Sequence, residues 1–204
     1  MGEFARPWRE QDADPDPVRQ FRMWFEDAVA AGVRAPEAAA VATATPGGRP
    51  SLRMVLVKRF DHDGFAFYTN HESRKGRELA ANPHAALMFY WDAIGRQVRI
   101  EGGVRRMTAS ESEPYIRSRP KGSQVSALAS PQSRVVESRA WLEQRVAELT
   151  AECGDGDPPL PEAWGGFLIG PDAIEFWQHR EDRLHDRLLY TPDGDGWRIE
   201  RLAP

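Results

Sequence analysis

Ser51-Leu52-Arg53-Met54-Val55-Leu56-Val57-Lys58-Arg59-Phe60, then Asp61-His62-Asp63-Gly64, then Phe65-Ala66-Phe67-Tyr68-Thr69-Asn70 is the stretch that decides the fold. Two runs of aliphatic and aromatic residues flank four turn formers, the pattern of an antiparallel hairpin. The same grammar repeats outward. Residues 38–45 lead through Pro46-Gly47-Gly48 into the first run, and 85–91 and 96–107 are joined by Asp92-Ala93-Ile94-Gly95. Residues 166–170, 173–178, 183–190 and 197–202 read as further short strands.

Helical signals punctuate these strands. Asp16-Pro17 supplies a cap and a first-turn proline, and Val18, Phe21, Phe25, Ala28 and Val29 give one apolar face ended by Gly32. Trp24 lies beside that stripe. A short helix is predicted over 73–81, stopped by Asn82-Pro83. Thr108-Ala109-Ser110-Glu111 is a capping box, Pro120 interrupts the helical region it opens, and a longer amphipathic helix is predicted over 134–152 with Val135, Leu142, Val146 and Leu149 inward. Seven or eight mostly antiparallel strands with three or four inserted helices predict an α+β fold, a β-barrel with flanking helices. Residues 1–14 read as a flexible arm and 15–204 as a single domain.

The bulk properties narrow the function classes. At 204 residues, 41% hydrophobic and 28% charged, the chain has an ordinary globular composition, and its net charge of −4 argues against a nucleic-acid or membrane-surface partner. The single cysteine, Cys153, excludes an internal disulfide and has no partner at metal-ligand spacing. No apolar run reaches the roughly 20 residues that span a bilayer, and residues 1–17 lack the apolar centre of a signal peptide. A cytoplasmic, soluble protein without a metal is the expectation.

Four segments carry chemistry. Arg53 and Lys58 place a cation at each end of four apolar residues. Tyr68-Thr69-Asn70-His71-Glu72-Ser73-Arg74-Lys75-Gly76 ends a strand and opens a helix, where free N–H groups, Thr69 and Ser73 hydroxyls and the Arg74 and Lys75 cations suit a phosphate. A second anion site is readable in 115–123: Tyr115 and Arg119 share a helix face, and Ser123 follows the Pro120 break. In 183–190, strand alternation projects Arg183, His185 and Arg187 from one face, a row that needs an anionic or electron-rich neighbour. Gln97, Gln132 and Ser133 are amides and a hydroxyl of the kind that suits a heterocycle with several carbonyls and ring nitrogens. Two phosphate-type sites point to a phosphorylated cofactor together with a phosphorylated substrate.

In this order, these segments resemble pyridoxamine 5′-phosphate oxidases. The matching pieces also include Trp164-Gly165-Gly166, Glu175-Phe176-Trp177-Gln178 and the terminal Arg201-Leu202-Ala203-Pro204, so the likeness runs from about Pro15 to the last residue. The resemblance implies a mostly antiparallel, Greek-key-like FMN-binding split β-barrel and a homodimer with FMN at the subunit interface. It further implies FMN contacts from Arg53, Thr69, Arg74 and Lys75 at the phosphate and ribityl chain. Met54, Val55 and Tyr68 are implied along the flavin, and Gln97, Gln132, Ser133, Trp177 and Arg187 around the isoalloxazine and its chain. Lys58, Tyr115, Arg119 and Ser123 are implied at the substrate phosphate, with Lys58 also counted toward the cofactor. Arg183 and His185 are implied as the catalytic pair over the pyridine ring, with O2 as acceptor.

Two departures stand out. The family's N-terminal arm carries an arginine and a tyrosine that close over the substrate, whereas here residues 1–14 contain no tyrosine; and His179 stands where the family has glycine. These motivate two other readings, a paralogous FMN oxidase of a phenazine-type metabolite and a non-catalytic flavin- or pyridoxal-phosphate-binding protein.

Overall fold

The Asp16 carboxylate accepts the Val18 N–H at 2.9 Å, and Pro17 takes a first-turn position where no N–H is needed. In the computed structural model, which describes residues 7–204, this cap opens α1 (Pro17–Ala30). α1 buries Val18, Phe21, Trp24 and Ala28, while Val29, expected on the same face, is exposed. Phe21 is wholly buried, with ring centroids 4.8 to 5.0 Å from those of Phe60, Phe65 and Phe89, edge to face. This aromatic cluster ties the helix to strands from three parts of the chain.

The strands are β1 (Ala38–Ala44), β2 (Pro50–Asp61), β3 (Gly64–Asn70), β4 (His84–Trp91), β5 (Arg96–Arg106), β6 (Trp164–Gln178), β7 (Asp186–Asp193) and β8 (Gly196–Arg201). All pair antiparallel in the order β3-β2-β1-β4-β5-β6-β7-β8, and β3 also pairs with β6. That last pairing closes six strands into a barrel and leaves β7 and β8 as an extension. β1 to β4 form a Greek key, with β4 returning beside β1 after α2 (Arg74–Ala81).

The two strands predicted over 166–170 and 173–178 are one strand, β6. Pro171 and Asp172 resemble a turn in sequence but form a bulge opposite Gly102. A Cβ on Gly102 would lie 2.0 Å from the Gly170 carbonyl oxygen, so only glycine permits this approach. Before the bulge β6 closes the barrel on β3; beyond it β6 pairs with β7. The bulge therefore marks where one strand changes partners.

Three helices connect β5 to β6: α3 (Ala109–Ser118), α4 (Lys121–Ala129) and α5 (Arg139–Cys153). Both halves of the Thr108–Glu111 capping box form. α5 starts five residues later than predicted because Ser138 caps it, accepting the Trp141 N–H at 3.1 Å. Val135, expected inward, is fully exposed, and Leu142, Val146 and Leu149 are only half-buried.

The strand predicted over 183–190 begins only at Asp186. Residues Glu181–Arg183 form a short 3-10 turn in which Asp182 and Arg183 have φ of 54° and 60°. That left-handed pair breaks the alternation, so of the predicted cationic row only Arg187 lies on the strand. Residues 1–6 of the expected flexible arm lie outside the described residues, whereas its remainder is anchored. Trp8 packs on Trp24 at 4.9 Å, and Tyr190 Oη donates to the Asp14 carbonyl at 2.9 Å. Among the described residues no helix is long and apolar enough to cross a membrane.

Candidate functional site

The strand-to-helix junction after β3 builds the most charged cleft. Ser73 caps α2, and the Lys75 ammonium behind it is 8% exposed. Lys75 Nζ donates to Thr69 Oγ1 at 2.9 Å and Gln132 Oε1 at 2.8 Å, both neutral acceptors. Burial, and then the Arg53 charge, push this lysine down to about 8. Arg53 and Arg74 share one buried counter-ion, Glu78, at 3.4 Å and 2.9 Å. Burial opposes ionisation of Glu78, but hydrogen bonds from Ser51 and Thr43, each 2.5 Å, and from Arg74 hold it at about 2. Four cations, Arg49, Arg53, Arg74 and Lys75, thus line a cleft of about 570 Å³ with Gln132 and Ser133, and Arg53 and Arg74 share the Glu78 carboxylate. A phosphate monoester fits these donors: one buried ammonium, two guanidinium groups and a helix N-terminus.

A second group gathers where α3 meets the barrel. Tyr68 and Tyr115 stack at 3.9 Å with their planes 22° apart. The Arg119 guanidinium lies 4.9 Å from the Trp164 ring centre, and its buried Nη1 has no hydrogen-bond partner among the described residues. An unpaired buried donor on a guanidinium is costly and marks a place for an acceptor from outside the chain. Ser123 sits in the first turn of α4, four residues beyond Arg119. Lys58 occupies the register shift between Val57 and Arg59, with Nζ 2.9 Å from Glu37 Oε1. Strand alternation keeps Lys58 on the exposed face with Leu52, Met54 and Leu56.

The third group lies on the β5-β6-β7 face. Gln97, Trp177 and Arg187 are cross-strand neighbours in one row. Arg187 is engaged by the chain itself, to Glu175 at 2.7 Å and the Ala203 carbonyl at 2.7 Å. Trp177 lies 4.7 Å from the His185 ring, which lies 5.2 Å from His179. Arg183 and His185 line a cleft of about 550 Å³ with Trp177, although not as strand neighbours. Burial, then His179 and Arg183, lower the His185 pKa.

These groups do not form one pocket within a single chain. β3, which leads into the Lys75 junction, pairs with β6 over Trp164–Ile169, whereas Trp177 lies beyond the bulge, twelve residues further along β6 than Gly165, the partner of Thr69, roughly 40 Å of strand at the usual rise. Met54 and Val55 point to opposite sides of β2, Met54 exposed and Val55 packed on the core. On the outer face Leu52, Met54 and Leu56 of β2 and Met88 and Tyr90 of β4 are all exposed, with Ala40 and Ala42 of β1 between them. Contiguous apolar surface of this kind on a sheet marks an interface. Sequence reasoning missed the Glu78 network; its one signal was the spacing of Arg74 and Glu78, one helical turn apart. Nothing in the sequence pattern exposed the Arg119–Trp164 contact.

A family model described as pyridoxamine 5′-phosphate oxidase matches residues 25–153, and one described as the pyridoxine 5′-phosphate oxidase C-terminal dimerisation region matches 164–204. A pyridoxine/pyridoxamine 5′-phosphate oxidase of Rubrobacter xylanophilus is 55% identical, the alignment covering 99% of this chain and 94% of the relative. One of Burkholderia vietnamiensis is also 55% identical, covering 96% and 92%. The crystal structure of PhzG from Burkholderia lata with tetrahydrophenazine-1-carboxylic acid superposes with a TM-score of 0.91 at 34% identity, covering 98% of this chain and 99% of that one. With the Greek-key barrel closed by β3 and β6, and with relatives aligned end to end at this identity, the chain belongs to the pyridoxine/pyridoxamine 5′-phosphate oxidase family.

Proposed function

We propose that this oxidoreductase oxidises pyridoxamine 5′-phosphate or pyridoxine 5′-phosphate to pyridoxal 5′-phosphate, using FMN, with O2 as acceptor and hydrogen peroxide as product. The observation that carries this reading is the presence of two separate cationic sites, the Lys75 cleft and Arg119, whose buried Nη1 has no partner among the described residues. One suits the cofactor phosphate and the other the substrate phosphate. FMN, when bound, supplies the two-electron acceptor and its reoxidation by O2.

The chain's own residues bind and orient. Arg53, Thr69, Arg74 and Lys75 take the cofactor phosphate and its chain, with Gln132 and Ser133 beside them. Met54, Tyr68 and the Val55 backbone run along the flavin, and Gln97, Trp177 and Arg187 complete its surroundings from a second subunit. Tyr115, Arg119, Ser123 and Lys58 take the substrate phosphate; Lys58 exchanges Glu37 for it. Arg183 clamps the pyridine ring and His185 positions it, lowering the entropic cost of reaction. The exposed apolar face of β2 and β4 is the seam of a homodimer that joins the Lys75 cleft of one copy to the Trp177 face of the other. The substrate gives up two electrons and two protons, one hydrogen leaving its C4′ carbon with the electron pair and one proton leaving the attached nitrogen or oxygen; with the amine, water then hydrolyses the imine and releases ammonia.

The test is to load the protein with FMN and mix it with each vitamin phosphate under air, following aldehyde and peroxide. Absence of both products at full FMN occupancy refutes the assignment. The PhzG neighbour and His179 favour a second reading, oxidation of a phenazine-type substrate. An unphosphorylated substrate leaves Arg119 Nη1 unpaired, and a substrate panel separates the two.

A further inference from the structure

Asp186, the first residue of β7, is 7% exposed and holds three donors. Its Oδ2 accepts the Trp8 N–H at 3.0 Å and Arg180 Nε at 2.7 Å, and its Oδ1 accepts Arg201 Nη1 at 2.9 Å. Arg180 gives its backbone N–H to His185 Nδ1 at 3.1 Å. A ring nitrogen that accepts an N–H carries its lone pair there, so neutral His185 holds its proton on Nε2. Protonating Nδ1 would set two N–H groups against each other. The turn that carries Arg180 is held at its start by the His179 N–H bonded to the Gly95 carbonyl at 2.8 Å; beyond Arg180, Asp182 and Arg183 are left-handed and the Leu184 N–H donates to the Glu181 carbonyl at 3.2 Å.

We infer that Asp186 is a positioning residue: by clamping Arg180 it locks His185 as the Nε2–H tautomer, so that the cleft receives an N–H donor rather than a base. The groups around His185 act in the same sense. Trp177 and His179 pack on its ring, Arg183 adds a positive charge, and Glu181 and Asp182 are exposed to water in the same loop. A neutral histidine that donates from Nε2 can hold an electron-rich atom of the substrate without competing for the proton that leaves it. The inference rests on the proposed function only in taking this cleft as the substrate side.

The experiment uses 15N-labelled FMN-loaded protein and long-range 1H–15N correlation spectra, with the His185 signals assigned by His185→Asn. The expected wild-type spectrum shows Nε2 protonated and Nδ1 bare. Asp186→Asn should give mixed tautomers, an upward shift of the acid limb of kcat/KM, and a loss in kcat/KM of about tenfold to a hundredfold with FMN retention unchanged. Because Asp186 also holds Trp8 and Arg201, Arg180→Met serves as a second variant that leaves those contacts in place and should reproduce the tautomer change. A wild-type Nδ1–H signal, or wild-type tautomer and pH profile in both variants, overturns the inference. A locked Nε2–H tautomer without turnover of either vitamin phosphate upholds the lock and sinks the proposed substrate instead.

Discussion

Replacing Lys75 by methionine should stabilise the protein without cofactor while weakening FMN binding. The Lys75 ammonium is buried, and its lowering from 10.5 to about 8 costs the cofactor-free fold about 3 kcal/mol at neutral pH. Methionine fills similar volume without charge and removes that cost. It also loses the bonds to Thr69 and Gln132, about 1 kcal/mol each, leaving a net gain of about 1 kcal/mol. For a chain of this size that is a rise in Tm of about 2–4 °C. The phosphate meanwhile loses a charge-assisted hydrogen bond worth about 1.5–3 kcal/mol, weakening FMN binding roughly tenfold to a hundredfold. The sign of the pH effect follows. Between about 8 and 10.5 the unfolded chain holds the Lys75 proton and the folded chain does not, so stability without cofactor rises with pH across that window. FMN affinity falls over the same window, because the bound phosphate needs the ammonium. Thermal melts and flavin-fluorescence titrations from pH 7 to 10 measure both. A Lys75→Met protein that melts several degrees lower and keeps its FMN affinity refutes the reasoning.

Three further outcomes follow from the same geometry. Glu78→Gln strips Arg53 and Arg74 of their shared counter-ion and should cost about 3 kcal/mol at pH 7 in urea unfolding. Since Glu78 titrates at about 2 when folded and 4.5 when unfolded, that difference should shrink as the pH falls below 4.5. Arg119→Met should raise the KM for the vitamin phosphates roughly tenfold to a hundredfold while FMN retention is unchanged, measured by steady-state peroxide formation. Met54→Glu places a charge at the centre of the exposed apolar face, and light scattering should then report a monomer where the parent chain is a dimer.

Local chemistry was readable wherever neighbouring residues decide it. The Asp16-Pro17 cap, the Thr108–Glu111 box and the Asp61–Gly64 turn all act within four residues, and each forms as its sequence predicts. Reading failed where a distant strand overrides the local signal. Pro171-Asp172 looks like a turn, yet β5 supplies Gly102 as the space for a bulge, and the strand runs on. Residues 183–185 alternate like a strand, but the pairing of β7 with β6 reaches back only to Asp186. The site divides in the same way. The Thr69–Lys75 junction was visible because one turn of chain assembles it, whereas Glu78 with Thr43 and Ser51 draws on β1, β2 and α2 at once.

What the sequence alone determined is the inventory: mostly antiparallel strands, helix starts with their caps, and two clusters of cationic and hydroxyl side chains of the kind that suit a phosphate. Those properties are short-range, set by side-chain alternation, capping and turn chemistry. Only the tertiary structure decided that β3 meets β6 to close the barrel, that β6 bends to serve two partners, and that the Lys75 junction and the Trp177 face lie at opposite ends of that one strand. Those facts depend on which distant backbone groups pair, and pairing across a hundred residues is fixed by the packing of the whole core around Phe21 rather than by any local pattern.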